Sequence, residues 1–208
     1  MASSVIHMCV ANEINKVLKK DSKKLLIGTI APDIAKQIGM QKEISHFQEN
    51  NDDMPVLEKF LSKYEDNLND DFILGYYIHL YTDYYWFKYF LPNFIKQDCI
   101  YKLDGSVAKL NEEDKIKCVY NDYTNLNTTL IDEYELELKI FYEELPILCN
   151  IIEEIPMDKI NVIVNKAGII IEEAKKSKAY IFDIREVKKF IEFSVSGILN
   201  DLKKLGVL

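Results

Sequence analysis

The sequence is short of the residues that make turns, crosslinks and membrane spans. Its 208 residues include only 7 glycines and 5 prolines, a scarcity that argues against turn-rich β folds. The 4 cysteines contain no CxxC pair, and in a chain of this length they indicate free thiols in a reducing compartment. No run of about 18 apolar residues occurs, and polar side chains interrupt the first helix where a signal peptide would be apolar. These absences predict a cytoplasmic protein built from few, long elements.

Basic residues are also in deficit. The chain has 26 Lys and Arg residues against 34 Asp and Glu residues, which gives a formal net charge of −8. Such a surface repels a nucleic-acid backbone, and no basic cluster interleaved with aromatic residues offsets it. A nucleic-acid polymer is therefore not an expected partner. Nothing in the sequence predicts the oligomeric state.

Helical periodicity dominates what is present, and it predicts an all-α fold in one domain spanning residues 1–208. The predicted helices cover residues 3–20, Asp52 or Asp53 to 64, Asn69 or Asp70 to 91, 111–123, 125–145, 158–176 and 183–205. Residues 93–106 form the longest stretch that is predicted to be irregular. Aromatic side chains on every side of the third helix predict a long central helix that is buried all round.

Local signals predict helical structure in two further segments. Residues 162–171 are rich in β-branched side chains and would suit strands, but flanking alanines and glutamates and the lack of a turn dipeptide favour a helix. Asp183 and Glu186 have the spacing of a capping box, which predicts the start of the last helix.

The chain has three histidines, and one of them has an informative neighbour. His79 precedes Asp83 by four residues, so both side chains lie on one face of the central helix, one turn apart. An imidazole nitrogen and a carboxylate oxygen placed in this way can bind one cation at about 2.0–2.2 Å. Taken alone, such a pair is more often an ion pair or a structural histidine.

Other residues near this face have two interpretations each. Gly75 would allow a backbone or ligand to approach closely, and Trp86 would shield the site or line a pocket beside it. The hydroxyl of Tyr76 could orient a phosphate or the second nitrogen of His79, although simple core packing explains most of these aromatic residues.

The order of the histidine and aspartate motifs resembles the zinc-dependent phospholipase C family, which shares a helical fold with single-strand-specific nucleases. The matching residues are His7 in the first helix, GTIAPD at 28–33, SHF at 45–47 and GYYIHLYTD at 75–83. Each motif is weak alone, but the four occur in the family's order and with similar spacing. The match covers roughly the first 90 residues, and it implies a compact multi-helix domain of that type.

The resemblance implies a role for each matching residue. Asp33, His46, His79 and Asp83 would hold one zinc ion, while His7 would belong to a second ion that Asp83 bridges. Asp33 would also be the catalytic base in the hydrolysis of a small or phospholipid-like phosphodiester. The implied cofactor is one zinc ion, or two.

The sequence departs from the family pattern after the central helix. Enzymes of the family have further histidine ligands there, whereas no histidine follows His79 in this chain. The full three-metal cluster is therefore not expected. Asp122, Glu133 and Glu137 are candidate substitutes among residues that are mostly solvated surface.

Three alternatives stay open. The first is a non-catalytic metal- or ligand-binding protein derived from the same fold. The second, a helical HD-type phosphohydrolase, requires an adjacent His-Asp dipeptide, which this sequence lacks. The third is a metal-free structural protein, which would leave the ordered spacing of the histidines to coincidence.

Overall fold

A computed structural model describes residues 1–50, 53–172, 174 and 178–208, and these residues are mostly helical. The α-helices are α1 (Ser4–Leu18), α2 (Ser22–Ile30), α3 (Ile34–Gln37), α4 (Lys42–Ser45), α5 (Leu57–Tyr64), α6 (Asp71–Tyr85), α7 (Glu112–Glu133), α8 (Ile160–Glu172) and α9 (Ile184–Lys204). A π-helical turn, Trp86–Phe90, continues α6, and short 3₁₀ turns include Ala31–Asp33, Leu91–Asn93 and Leu138–Phe141.

Helix α6 is the central helix that the aromatic pattern predicts. Every side chain from Phe72 to Leu80 is buried, and the helix packs against α1, α2, α5 and α9. Asp70 is its N-cap, because its carboxylate accepts hydrogen bonds from the backbone N–H groups of Phe72 and Ile73. A helix buried on all sides fixes whatever polar side chains it carries inside the protein.

Helices α2 and α6 cross in unusually close contact. A Cβ atom at Gly28 would collide with the carbonyl oxygen of Phe72, and one at Gly75 would collide with that of Leu25. The glycines therefore bring the two backbones together where side chains would separate them. This crossing places the end of α2 directly beside the middle of α6.

The two helices predicted over residues 111–123 and 125–145 are wrong in their bounds. One helix, α7, runs through both and ends at Glu133. Its end is a Schellman-type turn in which Glu135 takes a left-handed φ of 49° and the Leu136 N–H bonds the Ile131 carbonyl. Burial of the Leu136 side chain stabilises this turn without the usual glycine.

The stretch predicted to be irregular contains a small antiparallel sheet. Its strands are β1 (Ile95–Lys96), β2 (Cys99–Tyr101) and β3 (Val107–Lys109), in the order β1-β2-β3. Ile100 pairs with both Ile95 and Ala108 and is fully buried. Strands of two or three residues are too short to show an alternating pattern, which is why the sequence did not predict them.

Other boundaries follow the prediction with local changes. Residues 162–171 lie within α8 and are helical, as predicted, while Lys175 and Lys176 of the predicted helix fall outside the described residues. Helix α5 begins at Leu57, so Asp53 does not cap it, and Asp52 is not described. Asp183 caps α9, but Glu186 pairs with Lys189 instead of completing a capping box.

The buried apolar side chains form one contiguous cluster that includes residues from Ala2 near one end of the chain to Leu202 near the other. Helices α1, α2 and α6 meet at its centre. Within the described ranges, none of the helices combines the length and the apolar character that crossing a lipid bilayer requires.

Candidate metal centre

Five titratable side chains converge at the centre of the helical core. His79 and Asp83 lie on α6, and His7 lies on α1. Asp33 ends the 3₁₀ turn after α2, and His46 follows α4. The structure thus brings together all five metal ligands predicted from the sequence, which come from separate stretches of chain.

One side of the cluster gathers four of these residues. His79 Nε2 lies 3.2 Å from His46 Nε2 and 3.6 Å from Asp83 Oδ2. His46 Nε2 lies 3.6 Å from Asp33 Oδ1 and 3.9 Å from Asp83 Oδ2. Two ligand atoms bound at about 2.1 Å to one tetrahedral ion are about 3.4 Å apart. The spacing of the His46, His79 and Asp83 atoms therefore matches that of ligands around a single cation.

The other side is formed by His7. Its Nε2 lies 3.3 Å from Asp83 Oδ1, without hydrogen-bond geometry, and its ring stacks on that of His79 at a centroid distance of 3.8 Å. Asp83 Oδ1 also accepts the backbone N–H of Ala2 at 2.8 Å. Asp83 therefore directs one oxygen towards His7 and the other towards His46 and His79.

Two groupings of ligand atoms meet the distance requirement for binding an ion. In each of the sets His7, His79, Asp83 and Asp33, His46, His79, the atoms lie within 4.8 Å of one another. The donors are nitrogen and oxygen, a set that suits zinc and similar divalent ions. The two sets share His79, whose Nε2 can bind only one ion, so the residues present fit one ion, or a closely spaced pair that shares Asp83 through its two oxygens.

Backbone and hydroxyl groups orient the imidazoles. His79 Nδ1 lies 2.7 Å from the carbonyl oxygen of Thr29, which can only accept, so the ring carries its hydrogen there and leaves Nε2 for the cluster. His46 Nδ1 contacts the Ser45 hydroxyl at 2.9 Å and the Lys42 carbonyl at 3.2 Å, and its Nε2 likewise faces inwards. Such partners are typical of histidines that bind metals.

Burial and mutual contacts shift the pKa values of the cluster. Burial lowers the pKa of His7 to about 4 and also lowers that of His46. Burial would raise the pKa of Asp83, but interactions with His7, the amino terminus and His79 hold it well below its usual range. Asp33 behaves in the same way, because His46 and the other histidines outweigh burial and lower its pKa to about 2. At neutral pH the carboxylates are ionised and His7 and His46 are neutral, which is the protonation state that binds metal ions.

The pKa of His79 is shifted upwards. Burial lowers it, but the neighbouring Asp83 carboxylate more than compensates. Without a cation, the Asp83 carboxylate stabilises a proton on this ring. A metal ion would take the place of that proton.

Unpaired buried atoms show that the cluster is incomplete as protein alone. Both ring nitrogens of His7 and Asp83 Oδ2 are buried and make no hydrogen bond to the described residues. A buried carboxylate oxygen without a donor costs free energy unless a cation compensates it. Of these atoms, His7 Nε2 and Asp83 Oδ2 lie within 4 Å of other members of the cluster, so the residues fit a bound metal ion.

The three carboxylates considered as substitutes for missing histidines are engaged elsewhere. Asp122 accepts the backbone N–H groups of Tyr180, Ile181 and Phe182. Glu133 pairs with Lys188 at 2.6 Å and Glu137 with Lys139 at 2.5 Å, both on the surface. None of the three joins the cluster, so the idea that they complete a larger metal site is wrong.

Three residues near the central helix were weaker candidates for lining a pocket, and two of them turn out to be core packing positions. Gly75 lies in the α2–α6 crossing, and Tyr76 is buried against Phe60 while its hydroxyl donates to the Ser45 carbonyl at 2.5 Å. Both are interior packing positions, although Tyr76 supports the residue next to His46. Trp86 lines a cavity of about 660 Å³.

Sequence reasoning did not find the backbone groups of the site. The Thr29 carbonyl and the Ala2 N–H are main-chain atoms, which every residue type supplies, so only the three-dimensional crossing reveals them. Ser4 places a hydroxyl 3.5 Å from Asp33 Oδ2. Its position three residues before His7 on the first helix is the one sequence feature that could have identified it.

Family models, curated proteins and solved structures were compared with the chain, and none of them matches it. The geometry of the His/Asp cluster is therefore the basis on which a function is proposed below.

Proposed function

We propose that this protein is a zinc-dependent phosphodiester hydrolase of the phospholipase C and single-strand nuclease-like type, with a reduced metal site. One observation carries the proposal: His7, Asp33, His46, His79 and Asp83, from separate stretches of chain, form two overlapping groups whose ligand atoms lie within 4.8 Å of one another. Buried imidazole and carboxylate groups with orphaned atoms have no evident structural purpose, because apolar packing would be more stable.

The ligand roles follow from which atoms face which. Asp33, His46 and His79 would hold one zinc ion, and His7 with Asp83 would contribute to a second. Asp83 is suited to be shared because its two oxygens face different histidines. Bound zinc supplies positive charge that polarises a phosphoryl oxygen and lowers the pKa of a coordinated water.

Asp33 is the member of the cluster that a substrate would meet first. Its side chain is 13% exposed, whereas those of the other four residues are at most 1% exposed. A carboxylate whose pKa is lowered to about 2 is a weak base. Asp33 would therefore orient an attacking water by accepting its hydrogen bond, and the proposed substrate is a small or phospholipid-like phosphodiester.

The same burial favours a second candidate function. A cluster that is almost fully enclosed also suits a protein that keeps a metal ion for stability or for ligand binding, without turnover. The two functions share the metal ligands and differ in access and in the number of ions. The cytoplasmic location predicted from the sequence stays a prediction.

Metal content and hydrolysis together test the proposal. Elemental analysis of the purified protein should find one or two zinc ions per chain, with less in His46→Ala, since the variant loses one of few bonds to the ion. Bis(4-nitrophenyl) phosphate should be hydrolysed by the wild type and not by His79→Ala. Glu137→Gln, which alters a surface carboxylate away from the cluster, is the matched control and should behave as the wild type.

The outcomes separate the alternatives. A single tightly bound ion with no turnover would support the non-catalytic protein and overturn the hydrolase. Wild-type protein that binds no divalent ion at micromolar concentration would overturn both.

A further inference from the structure

The small three-stranded sheet has one buried face and one exposed face. Residues that pair directly across antiparallel strands place their side chains on the same face. Ile100 pairs with Ile95 and Ala108, and these three side chains form the face that packs on the core. The opposite, outward face carries the remaining paired residues, which are Lys96, Cys99, Tyr101, Val107 and Lys109. The sheet is therefore amphipathic, and its outward face mixes apolar and basic side chains.

Four large apolar or aromatic side chains adjoin one another at the end of this face. Tyr101 and Val107 pair across the β2–β3 hairpin and are 41% and 54% exposed. Leu103, in the turn that follows, is 46% exposed, and its backbone N–H donates to the carbonyl of Tyr180, which is 56% exposed. Single exposed apolar residues are ordinary on protein surfaces, whereas a group that adjoins marks an interaction surface. We call these four residues the hairpin patch.

The turn that carries the hairpin patch projects from the body of the protein. Residues 103–107 are all exposed, and a Cβ atom built at Gly105 would find no atom within 4 Å. A hydrogen bond from the Lys102 N–H to the Ser106 carbonyl closes the turn. A projecting tip offers no concave pocket for a small molecule. Its shape suits insertion into a soft surface, such as the interfacial layer of a lipid bilayer.

The charges of the hairpin differ in sign from those of the whole chain. Residues 95–109 contain three lysines and two aspartates, in a protein whose net charge is −8. Neither Lys96 nor Lys109 forms an ion pair with the residues that the structure describes, and the ammonium group of Lys96 lies 5.7 Å from the centre of the Tyr101 ring. The carboxylates at the start of α7 form ion pairs with lysines of the same helix. The outward face therefore presents free positive charge beside its apolar residues.

We propose that the β2–β3 hairpin docks the protein on the surface of an anionic lipid bilayer. Tyr101, Leu103 and Val107 enter the interfacial layer, where the amphipathic ring of a tyrosine is favourably placed. Lys96 and Lys109 lay their apolar stems beside them and direct their charges to the lipid head groups. This docking requires neither a metal ion nor turnover, and the hairpin contains none of the metal ligands, so the inference goes beyond the proposed hydrolysis.

Co-sedimentation with lipid vesicles tests the docking. The purified protein would be mixed with vesicles of phosphatidylcholine alone, or of equal parts phosphatidylcholine and phosphatidylglycerol. We expect binding to the anionic vesicles to be at least about tenfold tighter than binding to the neutral ones, because two unpaired lysines face the head groups. Added salt should weaken the binding, since it screens exposed charges.

Variants in the hairpin separate the apolar contribution from the charged one. Leu103→Ser should weaken binding to anionic vesicles about tenfold, because it removes apolar surface from the lipid interface. Lys96→Gln and Lys109→Gln should each weaken it about fivefold. Ile147→Ser changes a 91% exposed apolar residue outside the hairpin, and Lys203→Gln removes a charge from an exposed part of α9. These two are the matched controls, and both should bind as the wild type does.

The outcomes distinguish this inference from the proposed function. Folded His79→Ala, which tests the metal centre, should bind anionic vesicles as tightly as the wild type. Equal affinity for the two kinds of vesicle, or equal losses in the hairpin variants and their controls, would overturn the docking. So would sedimentation velocity, without vesicles, that found a wild-type dimer and a monomeric Leu103→Ser, because the hairpin patch would then be covered by a second copy of the chain.

Discussion

Two buried carboxylates in this protein have opposite surroundings. Asp122, on α7, is 1% exposed, and its two oxygens accept three backbone N–H groups at 2.7–2.8 Å. Asp83, on α6, is fully buried among imidazoles, and one of its oxygens has no hydrogen-bond donor. The first carboxylate is satisfied by the chain itself, and the second is satisfied only in part.

The difference shows how structural and functional polar groups can be told apart. Asp122 ties the segment before α9 to α7, and its environment needs nothing more. Asp83 gathers groups that would repel or stay unpaired without a further positive charge, which is the condition for binding a cation. The comparison predicts that removing Asp122 affects stability, whereas removing Asp83 affects metal binding.

The largest expected effect is that of Asp122→Ala on stability. The change leaves three backbone N–H groups without an acceptor, two of them in bonds that are buried. Each such group costs about 1–3 kcal/mol, so the free energy of unfolding should fall by about 4 kcal/mol. Urea denaturation would measure this loss. Folded Asp122→Ala should retain the metal content of the wild type, and a loss of metal without a loss of stability would contradict the comparison.

The pH dependence of the stability of the metal-free protein tests whether His7 is buried in its neutral form. Because burial lowers the pKa of His7 to about 4, the unfolded chain binds its proton first as the pH falls below about 6.5. The contribution of neutral His7 is therefore complete above pH about 6.5 and is lost progressively down to pH about 4. This lowered pKa corresponds to about 3 kcal/mol. Asp33, whose pKa is lowered to about 2, adds a further loss only below pH about 4.

Urea midpoints measured in chelator from pH 7 to pH 4 would show the His7 effect. His7→Gln is the control, because its side chain does not titrate and its midpoint should vary less over the same range. His79, whose pKa is raised by Asp83, opposes the trend, so a stability that increased steadily towards pH 4 would mean that His79 dominates and that His7 is not buried as a neutral ring.

Asp83→Asn tests whether Asp83, unlike Asp122, acts mainly in metal binding. The amide keeps the shape of the side chain and an acceptor for the Ala2 N–H, but it removes the negative charge that faces the histidines. We expect zinc affinity to fall at least about 100-fold, by competition with a chromophoric chelator, since a ligand is lost. The unfolding free energy of the metal-free variant should fall less than that of Asp122→Ala, because His79 can lose its proton once the carboxylate is gone and so leaves no unpaired charge. A large loss of stability with unchanged zinc affinity would make Asp83 a structural group like Asp122.

How much of this could be predicted from the sequence depends on the range of the interactions involved. Helix α6 was predictable because its aromatic run and the Asp70 cap are local signals. The end of α7 was not predictable, because Glu135 occupies the left-handed position at the helix end where a glycine usually marks the boundary in the sequence. Its conformation is stabilised by burial of Leu136, which is a tertiary effect.

The same distinction between local signals and tertiary contacts applies to the residues of the candidate metal centre. The spacing of His79 and Asp83 on one helix face, and the ordered motifs around Asp33 and His46, were visible in the sequence. The accepting carbonyl of Thr29 was not, since it becomes part of the site only where two glycines allow α2 to approach α6. The hydrogen bonds to Asp122 come from residues about 60 positions later in the sequence, a separation over which helical periodicity gives no information.

A substitution at the α2–α6 crossing is expected to have the smallest effect on zinc affinity. A methyl group at Gly75 would meet the Leu25 carbonyl, so Gly75→Ala must move α2 away from α6 and lengthen the bond between the Thr29 carbonyl and His79 Nδ1. Loss of such a supporting bond typically costs 10–100-fold, and we expect zinc affinity to fall about tenfold. Gly168→Ala on α8 is the matched control, because the nearest atom to its new Cβ is 3.8 Å away. The control should keep the wild-type affinity and gain slightly in stability, since alanine favours a helix. Equal zinc affinities in the two variants would show that the crossing packs the core without orienting His79.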